Sequence, residues 1–299
     1  MIKRLICSLS KKEEFGLSNL LSEEKLQLLN EKSIESRKLV VHTVHHAGAG
    51  HIGGPMSAVD VLVNLYFNEL NVNPEDARAE NRDRFVLSKG HSAVALYTVL
   101  AIKGYFPIKE LDTFDSMDSR LQAHPDMNIL PGLDMSTGSL GQGISAAVGM
   151  ALGAKLKNKD FRTYCMIGDG ESQEGQVWEA ADVAVKYGLD NLVVILDNNK
   201  LQQFGWGESF DEREVPVTNP CERWQAFGWN VIEIDGHNHN EITKAFNAAR
   251  TVSGKPTIIV ANTVKGKGVS FMENTHRWHS RVPTDEEFDH AVQELEAGV

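Results

Sequence analysis

Cysteine is scarce in this chain of 299 residues, which contains Cys7, Cys165 and Cys221. Three is an odd number, and the spacing fits neither a disulfide framework nor a thiolate metal site. No apolar run approaches the ~20 residues that a membrane-spanning helix requires. The apolar run near the start is too short for a signal peptide. These absences predict a cytoplasmic protein without a membrane partner.

Positive charge is also in short supply. The chain has 30 Lys and Arg residues against 41 Asp and Glu residues, a formal net charge of −11. This excess of negative charge argues against nucleic acid and anionic membranes as partners. The hydrophobic fraction of 41% is that of a globular protein, and the length suits one large or two small domains.

A predicted strand–helix–strand unit lies in the middle of the chain. Residues 164–167 read as a buried strand, residues 174–187 as a helix and residues 192–196 as a second buried strand. Asp169 follows the first strand between two glycines, and Asn199 follows the second. Because parallel strands end at the same sheet edge, where ligands bind, we expect Asp169 and Asn199 to converge.

Carboxylate and amide oxygens are suitable ligands for Mg²⁺, which is held by few protein groups together with substrate phosphates. Asp169, Asn199 and the backbone carbonyl of Leu201 are the predicted metal ligands. Ca²⁺ and Mn²⁺ are alternatives to Mg²⁺. Gly-Asp-Gly alone is more often an ordinary turn in an α/β protein, and the Asn-Asn pair after the next strand favours the metal site.

The two motifs together resemble the diphosphate-binding signature of thiamine diphosphate enzymes. NRDRFVLSKGH at residues 81–91 and TGSLGQG at residues 137–143 narrow the resemblance to the N-terminal half of the transketolase family. The resemblance implies an α/β fold, a doubly wound and mostly parallel sheet with helices on both faces. It also implies a single diphosphate-binding domain over residues 21–299, with residues 1–20 as a peripheral extension.

Four histidines are catalytic candidates by the same resemblance. His51 lies in GAGHIGGPM, His91 ends NRDRFVLSKGH, His124 lies in QAHP and His279 follows Trp278 near the chain end. The alternative for His51 is a loop histidine that caps the next helix. The alternative for His124 is an ordinary loop histidine. His276 is the alternative to His279 as the catalytic histidine near the chain end.

The resemblance also implies the contacts of the cofactor. Gly138, Ser139 and Leu140 are expected to hold its two rings, with Ser139 replacing the family's proline. Gly170, His91 and His279 are expected near its diphosphate. Glu174 matches a family glutamate at a subunit contact, or it interacts with the helix dipole as a first-turn acid. Small departures from the family motifs, among them Ile52 and Ser139, suggest an altered substrate preference.

The implied activity is transfer of a two-carbon ketol unit from a ketose, or ketose phosphate, to an aldose or its phosphate. The family's pyrimidine-binding domain is missing from this sequence. We therefore expect a separate partner chain, a C-terminal transketolase subunit, in an α₂β₂ assembly. The alternatives are the alpha subunit of a 2-oxo acid dehydrogenase, a relative that uses other sugars, and a catalytically idle regulatory subunit.

Two further groups of histidines are not assigned to the site. His42, His45 and His46 have helical spacing, which is more typical of a packed or solvated face than of a metal site. His237 and His239 lie in a loop that we expect to be structural. The other predicted elements are strands at 85–87, 230–234 and 256–261, and helices at 26–46, 57–70, 144–155 and 286–295.

Overall fold

The computed structural model describes residues 21–203 and 219–298. The predicted extension of residues 1–20 lies outside these ranges. The strands are β1 (Arg84–Leu87), β2 (Thr163–Gly168), β3 (Leu192–Asn198), β4 (Asn230–Asp235) and β5 (Thr257–Asn262). The helices are α1 (Glu23–Ala47), α2 (Gly53–Asn64), α3 (Ala93–Lys103), α4 (Gln142–Leu156), α5 (Gly175–Lys186), α6 (Pro220–Ala226), α7 (His239–Thr251) and α8 (Asp285–Ala297).

The five strands form one parallel sheet in the order β1-β2-β3-β5-β4. Every residue of β2 and β3 is buried. These central strands read as continuous apolar runs because helices cover both faces of the sheet. The predicted fold, a doubly wound parallel sheet, is confirmed.

Alternate residues of β2 point to two separate cores. Tyr164 and Met166 belong to the larger core, which is covered by α1, α2, α3, α7 and α8. Cys165 and Ile167 belong to the smaller core, which is covered by α4, α5 and α6. The period of two along the strand therefore divides the helices into two layers.

Local signals explain where several helices begin. The Ser22 hydroxyl accepts a hydrogen bond from the Lys25 amide at 3.2 Å, so Ser22 caps the start of α1. α2 begins at Gly53, earlier than the predicted start at residue 57, and continues as a π-helical turn over Leu65–Glu69. Glycine is needed at position 53 because a Cβ there would lie 2.7 Å from the Trp278 carbonyl oxygen. α3, α6 and α7 were not predicted.

The loops after β1, β2 and β3 lie at one edge of the sheet, because all the strands run in the same direction. These loops carry the residues of the candidate site. None of the helices in the described part of the chain has the length and apolar character needed to cross a membrane.

Candidate active site

The four predicted catalytic histidines come together beyond the carboxyl end of β1. The centroid of the His51 ring lies 5.2 Å from that of His91, 5.1 Å from that of His279 and 6.2 Å from that of His124. His91 and His279 are 5.3 Å apart. Four separate chain segments supply these rings, so only the tertiary structure creates the cluster. His276, the competitor of His279, is buried in a short 3-10 helix.

Three imidazoles of this cluster, those of His51, His91 and His279, have lowered pKa values. Burial, followed by the nearby charges of His124, Lys265 and Lys89, lowers the pKa of His51 to about 4. Burial and Lys265 lower the pKa of His279 to about 3. Burial and Lys89 also lower the pKa of His91. At neutral pH these three rings are therefore uncharged, and each can accept one hydrogen bond and donate another.

Beside the histidines, a cavity of about 480 Å³ lies against the carboxyl ends of β2 and β3. The three predicted metal ligands, Asp169, Asn199 and Leu201, all line it. The Asp169 carboxylate accepts hydrogen bonds from the Gly170 amide at 2.8 Å and the Lys200 amide at 2.5 Å. It therefore bridges the two turns, and the expected convergence of Asp169 with the Asn199 turn is present.

A buried ion pair at the base of the cavity was not predicted. The Lys89 ammonium donates to the Asp197 carboxylate, and both side chains are almost fully buried. Asp197 also accepts from the Ser57 hydroxyl at 2.7 Å and from the Thr263 hydroxyl. Burial alone would raise the pKa of Asp197, but the charge of Lys89 and these hydrogen bonds hold it below its ordinary value.

A second buried lysine reaches the cavity from the other side. The Lys265 ammonium lies 3.2 Å from the carbonyl oxygens of Leu201 and Gln202 and 2.9 Å from Nδ1 of His279. Burial and the charge of Lys89 lower the pKa of Lys265 to about 8. At neutral pH it is still mostly an ammonium, which can only donate. Nδ1 of His279 is therefore an acceptor, and its Nε2 carries the ring hydrogen.

The pKa of Asp169 is raised toward the neutral range. Burial, followed by repulsion from Asp197, raises the pKa of Asp169 to about 6. The Gly170 hydrogen bond and the charges of Lys89 and Lys265 oppose this shift. A cation placed beside Asp169 would favour its ionised form.

The loop with Gly138, Ser139 and Leu140 lies across the mouth of the cavity. Ser139 and Leu140 are exposed, and Leu140 lines the cavity. A Cβ at Gly138 would lie 3.1 Å from the His124 ring, so this glycine allows the loop to approach the histidine cluster. The loop therefore presents backbone and an apolar side chain to the open side of the site.

Glu171, another residue that was not predicted, fixes this loop to the end of β2. Its carboxylate accepts from the Ser88 hydroxyl, from the Gly141 amide at 2.9 Å and from the Gly168 amide at 3.0 Å. Burial raises the pKa of Glu171. The signal in the sequence that could have identified Glu171 as a site residue was its position directly after Gly-Asp-Gly. Lys89 and Lys265 likewise stand next to motif glycines.

Glu174 and Gly170 also line the cavity. Glu174 is exposed, and its Cβ would be 2.9 Å from a Cβ placed on Gly141. Its position at the rim is compatible with a subunit contact. The Ile52 side chain, in contrast, is fully buried, so the suggestion that this departure alters substrate preference stays a prediction without a direct contact to support it.

The remaining histidines make structural contacts. His42 pairs with Asp112 at 3.0 Å and His45 with Asp285 at 2.9 Å, each with an acid from a distant segment. His239 is buried against Ser33 at 3.1 Å. Within residues 21–203 and 219–298, no three His, Cys, Asp or Glu side chains are grouped as a metal cluster.

Residues 30–296 match the family model described as the thiamine diphosphate binding domain of transketolase. A 6-deoxy-6-sulfo-D-fructose transketolase subunit of Clostridium sp. is 45% identical over 92% of this chain and 98% of the relative. An apulose-4-phosphate transketolase subunit of Phocaeicola vulgatus is 43% identical over 91% of this chain and 94% of the relative. Both relatives are thus similar to this chain over almost their whole length.

The chain is also similar to part of longer transketolases. It is 38% identical to the transketolase of Homo sapiens over 91% of this chain, which is 43% of that protein. The solved transketolase of Campylobacter jejuni superposes with a TM-score of 0.82 at 34% identity, covering 90% of this chain and 43% of the other.

Proposed function

The chain belongs to the transketolase family, and we propose that it is the diphosphate-binding subunit of a two-chain transketolase. The two relatives that it matches almost end to end are named as transketolase subunits. A partner chain would then supply the rest of the cofactor site, most simply in an α₂β₂ assembly. Sites for cofactors are common at such interfaces.

The residues at the sheet edge fit thiamine diphosphate with a divalent cation. Asp169, Asn199 and Leu201 line one cavity, and we propose that two side-chain oxygens and the Leu201 carbonyl would hold Mg²⁺, with Ca²⁺ or Mn²⁺ as substitutes. Lys265 and His279 lie on the same cavity and suit the negative diphosphate. Gly170 lines the same cavity, and because it has no side chain a ligand can approach its backbone closely.

The mouth of the cavity suits the ring portion of the cofactor. The Gly138 carbonyl would accept from the cofactor's amino group, and Ser139 and the exposed Leu140 would hold its rings. Glu174, exposed at the rim, is proposed to contact a neighbouring subunit. When bound, thiamine diphosphate supplies the carbanion-stabilising chemistry that moves a two-carbon unit between sugars.

The histidines of this chain would bind hydroxyl groups and move protons during the transfer. A neutral imidazole at His51 can accept a proton at neutral pH, because its pKa of about 4 leaves it uncharged. His279 presents its Nε2 hydrogen as a donor, since Lys265 occupies Nδ1. The His91 and His124 rings both lie close to that of His51 and would complete a polar wall for a sugar.

We propose a ketose with an anionic end group as donor and an aldose as acceptor. The relatives are named for a sulfonated fructose and for apulose 4-phosphate, both of which carry such a group. We also propose a cytoplasmic location. Within the described ranges, Cys165 is a free and buried cysteine, which suits a reducing compartment.

One observation carries the proposal: the four imidazoles lie at the same edge of the sheet as the turns that contain Asp169 and Asn199. Calorimetric titration of thiamine diphosphate with Mg²⁺, into this chain alone and mixed with a transketolase C-terminal subunit, tests it. We expect tight, Mg²⁺-dependent binding in the mixture only. Absence of binding in the mixture would refute the proposal.

Two variants separate cofactor binding from chemistry in the same mixture. Asp169→Asn should abolish the Mg²⁺-dependent binding because a carboxylate ligand is lost. His51→Ala should bind the cofactor normally but turn over a ketose donor about 10²- to 10⁴-fold more slowly. Unchanged turnover of His51→Ala would show that this ring is not a proton carrier.

A further inference from the structure

His237, which follows β4, makes two directional contacts with elements that flank the site. Its Nδ1 lies 2.7 Å from the Asp60 carboxylate on α2. Its Nε2 accepts a hydrogen bond of 2.8 Å from the backbone amide of Val264. The side chains of His237 and Asp60 are 13% and 6% exposed, so solvent competes little for these contacts. His237 therefore joins α2 to the segment that follows β5.

These contacts fix the position of the hydrogen on the His237 ring. A backbone N–H can only donate, so Nε2 must present its lone pair to Val264 and Nδ1 must carry the hydrogen. The acceptor of that hydrogen is an ionised carboxylate. Burial would raise the pKa of Asp60, but Arg37, which contacts it at 3.0 and 2.5 Å, and His237 lower it well below its usual range.

The amide held by His237 is next to the residue that enters the cavity. Lys265 directly follows Val264, and its ammonium lies against Nδ1 of His279 and the Leu201 carbonyl. The Lys265 side chain is 2% exposed and has little freedom to adjust if its backbone shifts. A displacement of Val264 would therefore be transmitted to the ammonium and to the His279 ring.

We propose that His237 is a positioning residue of this site: oriented by Asp60, it holds the Val264 amide so that Lys265 faces the cofactor's diphosphate and His279. This inference rests on the proposed function. The Arg37–Asp60 pair acts one step further away, because it sets the orientation and tautomer of the His237 ring.

Two substitutions at this one position separate positioning from packing. Glutamine can place its side-chain oxygen near the position of Nε2 and still accept from Val264, but it loses the Asp60 contact. Asparagine can place an amide N–H near Nδ1 and keep the Asp60 contact, but it leaves the Val264 amide without its acceptor. The affinity of the assembled two-chain complex for thiamine diphosphate with Mg²⁺ is measured by calorimetry, and the melting temperature of each cofactor-free variant is measured beside it.

We expect His237→Asn to weaken cofactor affinity about fivefold to tenfold, the effect of one lost hydrogen bond, and His237→Gln, which keeps the acceptor but loses its orientation by Asp60, to weaken it less. Equal losses of affinity in both variants, or none in either, would overturn the positioning role. If the unmodified complex binds no cofactor, the proposed function fails first, and the inference fails with it.

A spectroscopic measurement on the unmodified chain does not depend on variant stability. The ¹⁵N chemical shifts of the His237 ring should show the Nδ1–H tautomer, with a backbone amide hydrogen bonded to Nε2. An Nε2–H tautomer would overturn the inference, because that ring cannot accept from Val264.

Discussion

Replacement of Lys89 by methionine tests whether the base of the cavity is an ion pair. Lys89 and Asp197 are only 2% and 1% exposed. Methionine keeps most of the side-chain length but has no ammonium. Asp197 then remains as a buried carboxylate that has lost its main counter-charge, and it keeps hydrogen bonds from Ser57 and Thr263.

The structure places the expected loss of stability near 3 kcal/mol. Removal of one partner of a buried ion pair typically costs about 3–5 kcal/mol. The lower end of this range applies to Lys89→Met because two hydrogen bonds to Asp197 remain. The Lys265 charge is also close enough to interact with Asp197. The double variant Lys89→Met/Asp197→Asn should recover at least about 1 kcal/mol of the summed single losses, since neither charge is left alone.

The loss should also depend on pH in a defined direction. In the unmodified chain, the pKa of Asp197 is below its ordinary value of 3.8, so its stabilising effect is present above that pH. Without Lys89, burial should raise this pKa above the ordinary value. The folded variant then gains a proton more readily than the unfolded chain, so its deficit is smallest in acid and grows as pH rises.

Urea unfolding of the single variants, the double variant and the unmodified chain, followed by tryptophan fluorescence at about pH 4.5 and about pH 8, measures both effects. A Lys89→Met variant within about 0.5 kcal/mol of the unmodified chain at the higher pH would refute the reasoning. So would a loss of the same size at both pH values.

Two further predictions concern the loop at the mouth and the histidines. Gly90→Ala should cost about 1–3 kcal/mol and weaken cofactor binding, because its Cβ would lie 2.7 Å from the Gly138 backbone nitrogen. Gly149→Ala on α4, where a Cβ meets nothing within 4 Å, is the matched control and should stabilise the chain slightly in urea unfolding. The rings of His51 and His279, with pKa values of about 4 and about 3, should stay neutral in an NMR titration down to about pH 5. Stability should fall as pH drops below 6.5, because the unfolded chain takes up these protons first; ordinary pKa values for both rings would contradict this.

The sequence allowed Asp169 and Asn199 to be placed together because a simple topological rule applies to them. Two apolar runs with a helix between them predict parallel strands, and parallel strands end at one edge. The motif histidines His51, His91 and His279 were found by resemblance to a family. Their mutual distances could not be predicted, because each ring comes from a different segment.

Several contacts could not be predicted from the sequence, although one member of a pair stands next to a motif glycine. Lys89 and Asp197 are 108 residues apart, and His237 and Asp60 are 177 residues apart. A lysine next to a glycine reads as an exposed loop residue until the surrounding elements close over it. The burial of Ile52 could not be predicted either. This residue departs from the family motif, which suggested an altered substrate preference, but its side chain is fully buried.

The sequence by itself determined the parallel α/β sheet, the sheet edge that carries the candidate site and the family, because these depend on local apolar periodicity and short motifs. Only the tertiary structure decided which charges lie against one another. Desolvation and pairing set the protonation states of His51, Asp169 and Lys265, and both depend on burial by segments that are distant in the chain.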